Sequence, residues 1–261
     1  MLEVTVLASG SAGNALLVRG DGTAVLVDAG LSAKRLLERL AECEQSVEEL
    51  TGILLTHEHS DHTSALQTLS KRCVLPLYSN SFTAEAVQQG GRKVGDHSNW
   101  KRFTTGSRFR IGQFEVETFG VPHDAVDPVG FVIRGSGSSF GVLTDLGHAT
   151  AAHEERLAEV DGLLVEANYD EELLRNDRKR PWTVKQRIAS KHGHLSNVAT
   201  AKVVRSLAQR TGRLKRVVLG HLSTDCNTPA LAAQAVEDAL EGADVEVFCA
   251  EQHAVSPRFQ V

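Results

Sequence analysis

Thr56-His57-Glu58-His59-Ser60-Asp61-His62 is the stretch on which the reading of this chain turns. Four potential metal ligands, His57, His59, Asp61 and His62, fall within six residues, directly after the apolar run Gly52-Ile53-Leu54-Leu55. A short strand ending there releases the chain into a turn, and Thr63-Ser64-Ala65-Leu66-Gln67-Thr68-Leu69 reads as helix. In such a turn alternate side chains converge, His57 and His59 on one point and Asp61 and His62 on a neighbouring one. Imidazole and carboxylate donors suit zinc or manganese, whereas calcium and magnesium prefer all-oxygen shells. A His-rich surface turn is the plainer alternative. With only 11 His among 261 residues, an HxHxDH run is too dense to be put down to composition.

The bulk properties bound the rest. A chain of 261 residues can form one large domain or two small ones, with a substantial core either way. Apolar residues at 41% and charged residues at 23% are ordinary for a soluble globular protein. The opening Met1-Leu2-Glu3-Val4 has neither the basic nor the long apolar region of a secretory signal. No run approaches the roughly 20 apolar residues of a membrane span. The four cysteines, Cys43, Cys73, Cys226 and Cys249, show no CxxC spacing and suit idle thiols in a reducing cytosol. The expectation is a cytoplasmic protein with no membrane partner. Cys226, five residues past His221, is a possible extra ligand, although the His and Asp residues suffice without it. A net charge of −5 argues against a protein that coats nucleic acid. It leaves room for a nuclease, because metals can hold the scissile phosphate.

Along the chain, Leu2 to Ala8 alternates as a strand, and Ser9–Asn14 is a tight turn of small residues. Strands at Ala15–Arg19 and Thr23–Asp28 flank a hairpin turn at Gly20-Asp21-Gly22. Ser32 is placed to cap a helix through Leu36, Leu37 and Leu40, and Ser46–Leu50 offers a short helical turn. After the His-rich stretch come a strand at Val74–Tyr78 and a helix from Phe82 to about Gln89. Phe103 to Val121 reads as strand–turn–strand, followed by strands at Val129–Arg134 and Phe140–Thr144. A helix near Glu154–Glu159 precedes the strand Gly162–Glu166, and one long helical tract is expected after it. Strand Val217–Leu219, helix Pro229–Leu240 and strand Val245–Ala250 close the chain. Without a repeat or a Pro-rich linker, residues 1–261 read as a single domain.

The His-rich stretch resembles the signature of the metallo-β-lactamase superfamily. The resemblance implies an α/β fold, the four-layer αββα sandwich. It also implies three further ligands: His123 in Phe119-Gly120-Val121-Pro122-His123-Asp124, Asp145 in Gly141-Val142-Leu143-Thr144-Asp145, and His221 in Val217-Val218-Leu219-Gly220-His221. Each follows an apolar, strand-like run. By the same resemblance His57, His59 and His123 hold one metal, Asp61, His62 and His221 the other, and Asp145 bridges the two. Asp28, closing Val25-Leu26-Val27-Asp28, is the Asp that orients a ligand or its loop in this superfamily.

Four shorter stretches resemble one branch, the YycJ/WalJ group of bacterial DNA exonucleases. Ser9-Gly10-Ser11-Ala12-Gly13-Asn14 is similar to its SGSSGN-like opening, and such a turn can offer amides and hydroxyls to a phosphate, here with Ser9, Ser11 and Asn14. His192-Gly193-His194-Leu195-Ser196-Asn197 opens a helix at Val198–Leu207, where free N–H groups favour an anion. In phosphodiesterase branches a His at this position protonates the leaving oxygen; His194 is the better match and His192 the alternate. Arg178, Lys179, Arg180, Lys185, Arg187 and Lys191 upstream read mostly as a solvated face, with Arg187 kept as a substrate contact. Glu166-Ala167-Asn168-Tyr169-Asp170 resembles an EANHD-like element, with Asn168 matching and Tyr169 in place of the His. Leu222-Ser223-Thr224-Asp225-Cys226-Asn227 matches the group's HLS…NN pattern in part.

An Asp at position 145, in place of a Cys, favours two metals about 3.5–4 Å apart and in-line phosphoryl displacement. The expectation is a hydrolase with two divalent ions, zinc or manganese, acting on DNA as a 5′-to-3′ exonuclease, with RNA possible. Asp61 orients the attacking water and His194 supplies the proton; Ser196 and Asn197 join the substrate contacts. The alternatives are an RNA-processing nuclease of the tRNA 3′-end type and a glyoxalase II-like thioester hydrolase. Against them stand the lack of a Gly/Pro-rich arm and of length for a C-terminal helical domain. The oligomeric state is not legible.

Overall fold

The computed structural model describes residues 1–90, 94 and 99–261. In chain order its elements are β1 (Glu3–Ala8), β2 (Ala15–Gly20), β3 (Thr23–Val27), α1 (Ala33–Glu42), β4 (Gly52–Leu54), α2 (Ser60–Thr63), α3 (Leu66–Arg72), β5 (Pro76–Asn80) and α4 (Ser81–Gln89). There follow β6 (Asn99–Phe103), β7 (Arg108–Ile111), β8 (Phe114–Gly120), β9 (Val129–Gly135), β10 (Ser138–Leu143), α5 (Ala151–Leu157) and β11 (Gly162–Glu166). The last are α6 (Glu171–Asn176), α7 (Trp182–Ile188), α8 (Asn197–Thr211), β12 (Arg216–Gly220), α9 (Pro229–Leu240), β13 (Glu246–Cys249) and β14 (Phe259–Gln260). The chain divides into two compact units. One comprises Met1–Gly120, Ala125–Gly137 and Glu251–Gln260; the other comprises Val121–Asp124, Ser138–Ala250 and Val261.

In the first unit a sheet runs in the order β14-β1-β2-β3-β4-β5-β6. Its β2–β3 hairpin closes on Asp21 and Gly22, both at positive φ (48° and 72°). That is the turn geometry whose twist matches the strands it joins. Parallel pairing of β3 with β4 sets Val27 beside Leu54, so that Asp28 and Thr56 emerge at the same sheet edge. Helix α1 is capped by Ser32, whose side chain accepts from the Arg35 amide. Its Leu36 and Leu40 pack with Leu7, Leu17, Leu26 and Ile53, all fully buried. Each such side chain contributes about 1.5–3 kcal/mol. Strands β7, β8 and β9 form an antiparallel meander in the same unit.

The second unit is built on parallel strands in the order β10-β11-β12-β13. Val142-Leu143, Leu163–Val165 and Val217–Leu219 are all buried, as strands covered on both faces should be. Leu143, Val165 and Leu219 are in register. Their carboxyl ends therefore deliver Asp145, Glu166 and His221 to one edge.

The structure corrects the expected long helical tract after β11, which is three helices, α6, α7 and α8. Pro181 disfavours helical backbone at Arg180 and starts α7 afresh. Gly193 then allows a close turn: a Cβ there would lie 2.2 Å from the carbonyl oxygens of Arg187 and Ile188. The helix expected from Thr63 onward is likewise two pieces, α2 and α3. Strands β6 and β14 were not anticipated; β6 is mostly exposed and β14 has two residues, so neither carries an apolar run.

Candidate metal centre

In the first unit the His-rich turn is anchored on Asp28. Asp28 Oδ1 accepts from the Thr56 amide at 2.9 Å, and Oδ2 accepts from Thr56 Oγ1 at 2.8 Å and His62 Nδ1 at 2.7 Å. With its Nδ1 proton on Asp28, His62 turns Nε2 outward, 3.5 Å from Asp61 Oδ2 and 3.1 Å from Asn14 Nδ2. Thr56 Oγ1, its own proton given to Asp28, accepts from His57 Nδ1 at 3.0 Å. That leaves His57 Nε2 3.1 Å from His59 Nδ1. The turn is clamped to the neighbouring loop by backbone bonds from Asn14 to Asp61 and from Ala29 to His62, each 2.8 Å. Gly30 makes this possible, since a Cβ on it would sit 1.5 Å from the Asp61 carbonyl oxygen.

In the second unit the centre is Glu166, wholly buried at the end of β11. Its Oε1 accepts from His194 Nδ1 at 2.6 Å and His221 Nδ1 at 3.0 Å. Its Oε2 accepts from the amides of Leu146 and Leu195 at 3.1 and 3.2 Å. His221 Nε2 lies 3.3 Å from Asp145 Oδ1, and His123 Nε2 lies 4.0 Å from the same oxygen. His123 Nδ1 is held on the Gly193 carbonyl at 3.2 Å. Asn168 Nδ2 donates to the His221 carbonyl at 2.8 Å. Asp28, Asp145 and His221, each at or just past a strand end, take left-handed backbone with φ of 60°, 56° and 53°.

These donor sets fit a divalent metal. Two ligands each 2.0–2.1 Å from a tetrahedral ion lie about 3.3 Å apart. The within-unit pairs His57–His59, Asp61–His62 and Asp145–His221 stand at 3.1, 3.5 and 3.3 Å. His62, His123 and His221 each tie Nδ1 to a backbone or carboxylate oxygen and turn Nε2 to the site, as metal-ligating imidazoles do. Burial keeps His123 below the usual imidazole pKa, the neutral form a ligand needs. Burial would also lower His194, but the charge and hydrogen bond of Glu166 outweigh it and hold His194 above the usual value. Burial by itself would raise Glu166; His194 and His221 together pull it well below the carboxylate range.

The β-lactamase superfamily domain matches residues 23–222 of this chain. Exodeoxyribonuclease WalJ of Streptococcus pneumoniae is 39% identical over 248 residues, 94% of this chain and 90% of that protein. The chain belongs to the metallo-β-lactamase superfamily, in the YycJ/WalJ group. Exodeoxyribonuclease YycJ of Bacillus anthracis is 36% identical over 242 residues, 92% of this chain and 89% of that one. Among solved structures, the metallo-β-lactamase fold protein YhfI of Bacillus subtilis superposes with a TM-score of 0.75 over 99% of both chains at 19% identity, a likeness of fold alone. Membership of the superfamily carries the α/β, αββα class expected from the sequence.

The motifs that this superfamily branch shares fall in different settings. Ser9 and Asn14 are buried, with Ser9 Oγ on Asn14 Oδ1. Most amides of that turn are already engaged: Gly10 by Asn14 Oδ1, Ala12 by Gln252 Oε1, Gly13 by the Gly10 carbonyl and Asn14 by Asp61. A phosphate arriving there meets the exposed Ser11, not a nest of open N–H groups. Asn168 is buried behind His221. Ser196 caps α8 and donates to Glu171, and Asn197 exchanges two hydrogen bonds with Asn227, so both are buried in the fold. His192 is exposed, and Arg187 is exposed and paired with Asp124. Cys226 Sγ sits by Arg180 and Asp177 and joins none of the potential metal-holding clusters among the described residues. Glu166 is the residue that sequence reasoning passed over. Its signal was a charged side chain ending the apolar strand Gly162–Glu166.

No helix among the described residues is long and apolar enough to cross a membrane.

Proposed function

We propose that this chain is a metal-dependent exodeoxyribonuclease that degrades DNA from the 5′ end. The observation that carries the reading is the match, along 94% of the chain, to a protein named an exodeoxyribonuclease; the 5′ polarity is part of the proposal. His57, His59, Asp61, His62, His123, Asp145 and His221 are the proposed ligands of two divalent ions, zinc or manganese, with Asp145 shared. When bound, such ions supply charge that neutralises the phosphodiester and acidifies the attacking water. All four cysteines are free thiols, which suits a cytoplasmic location.

The chain's own part is to place and deliver protons. Asp61, partly exposed beside His62, orients the attacking water. His194 keeps Nδ1 on Glu166 and offers the Nε2 proton to the departing 3′ oxygen of DNA. The Glu166 charge, by favouring the imidazolium, keeps that proton available near neutral pH. A 3′ alkoxide is a poor leaving group and needs this proton.

Metal-loaded protein is given 5′-labelled duplex DNA, single-stranded DNA, RNA and S-lactoylglutathione, with zinc or manganese. Release of labelled mononucleotide from DNA as the first product is expected. Preference for RNA or for the thioester overturns the proposal, and progressive shortening with the label retained reverses its polarity.

A further inference from the structure

We infer that Trp182 heads a base-stacking subsite for single-stranded DNA; the inference rests on the exodeoxyribonuclease reading. A cavity of about 340 Å³ opens in the second unit between α6 and α7, walled by Tyr169, Leu174, Trp182 and Ala189 and rimmed by Arg175 and Lys185. Its size is at the small end of the ~300–1,000 Å³ range of ligand pockets, which suits one flat ring and no duplex. Trp182 is 66% exposed on the first turn of α7, and Val184 and Leu173 nearby are exposed as well. A large indole left in water beside an apolar hollow is the platform on which single-strand binders stack bases, and any base has the π-face it needs.

Charge identifies the occupant. Residues 173–191 contain seven Lys and Arg against one Asp, in a chain whose net charge is −5. Lys179 and Arg180 are spent on Asp225 and Asp177, and Arg187 on Asp124. Arg175, Arg178 and Lys191 are exposed with no carboxylate at salt-bridge distance among the described residues. Among the described residues Lys185 Nζ binds the Arg175 carbonyl, at 2.9 Å, and no carboxylate at salt-bridge distance. The one acid on the cavity wall, Glu171, takes the Ser196 hydroxyl. An aromatic ring among open cations fits a polyanion that carries bases.

The cavity is also tied to the chemistry. Ile188, the last residue of α7, accepts the His194 amide at 2.8 Å, and Arg187 pairs with Asp124, whose Oδ1 is 3.4 Å from His123 Nε2. At a rise of about 1.5 Å per residue, Trp182 stands about 9 Å along the helix from Ile188. A strand leaving His194 along α7 reaches Trp182 within a few nucleotides.

The test uses metal-loaded, full-length protein with Trp182→Ala, Trp182→Phe and the double variant Arg175→Ala/Lys185→Ala. Trp182→Ala should raise KM for single-stranded oligo(dT) by about 5- to 150-fold, the span of one lost stacked base. Its kcat, and turnover of bis-p-nitrophenyl phosphate, should hold, and Trp182→Phe should recover most of the KM. Hydrolysis-resistant phosphorothioate dT10 should quench tryptophan fluorescence in the wild type. In Trp182→Phe the quench should vanish while binding followed by anisotropy persists. Removing both cations should flatten the salt dependence of log K by about 1.4, or 0.7 per contact. Unchanged KM in Trp182→Ala on DNA that the wild type degrades overturns the subsite and spares the exonuclease reading. A wild type that binds dT10 through Trp182 yet cleaves no DNA sinks the exonuclease reading and leaves the subsite. Equal KM losses in Trp182→Ala and Trp182→Phe also overturn it, because stacking survives in the second.

Discussion

Glu166 Oε1 lies 2.6 Å from His194 Nδ1, and the same oxygen lies 3.0 Å from His221 Nδ1. One buried carboxylate thus sets the tautomers of a proposed acid and a proposed metal ligand. It has no rotational freedom, because its other oxygen is held by the Leu146 and Leu195 amides.

Glu166→Gln should therefore be costly although it is nearly isosteric. The new NH2 group must face either two ring N–H groups or two backbone N–H groups. A buried donor left unsatisfied costs about 1–3 kcal/mol. At about 2–4 °C of Tm per kcal/mol, calorimetry should show a clear fall. DNA turnover should drop with it; a variant with wild-type Tm and turnover removes Glu166 from this role.

His194→Ala separates proton delivery from metal binding. The residue is outside the proposed ligand set and its side chain is 21% exposed, so fold and metal content should hold. DNA cleavage should fall about 10²–10⁴-fold, the usual span of general acid catalysis. Bis-p-nitrophenyl phosphate, whose phenolate leaves unaided, should lose far less. Equal losses on both substrates would mean that His194 positions the phosphate instead of protonating the leaving oxygen.

Elemental analysis should find two metals per chain after reconstitution, reduced by His123→Ala and by His221→Ala. Asp145→Cys should depress manganese-supported turnover, because a thiolate has one donor atom where the carboxylate has two and favours softer metals. One metal per chain at saturation, or undiminished manganese turnover in Asp145→Cys, counts against a shared Asp145.

Asn168→Ala tests the support behind His221. With the 2.8 Å bond to the His221 carbonyl gone, the backbone that carries the imidazole loses one tie while Glu166 still holds the ring. Removing such a partner weakens metal affinity by about 10- to 100-fold. Competition with a chromogenic chelator should show this, with KM for DNA unchanged; a rise in KM at full metal occupancy would make Asn168 a substrate contact.

The His-rich turn was legible because its signal is local, and the superfamily resemblance it carries pointed to the other proposed ligands. The His-rich turn follows the apolar run of β4, and His123, Asp145 and His221 follow the runs of β8, β10 and β12. Asp28, a charge ending an apolar strand, was picked out by the same resemblance. Glu166 ends its strand in the same way, yet its role depends on partners 28 and 55 residues away. No spacing rule announces such a meeting. Trp182 was equally silent, since an aromatic at helical spacing usually packs inward, and only its 66% exposure separates it from a core residue. The breaks between α6, α7 and α8 were written in Pro181 and Gly193, but the helical composition around them masked both.

The left-handed backbone at Asp28, Asp145 and His221 bears on how this protein would evolve in the laboratory. For an L-residue that conformation costs about 1–2 kcal/mol, less for Asp, against a total stability of about 5–15 kcal/mol. At Asp28 glycine would strand the Thr56 and His62 donors at about 1–3 kcal/mol each, and at His221 it would take an imidazole away from Glu166; at Asp145 it would relieve the backbone. A library screened for survival at high temperature alone would be drawn to Asp145→Gly, which eases the backbone and strips a proposed metal ligand in one step. Thermal hardening of this chain must be paired with a selection for turnover, or it will yield a sturdier fold with nothing left to catalyse.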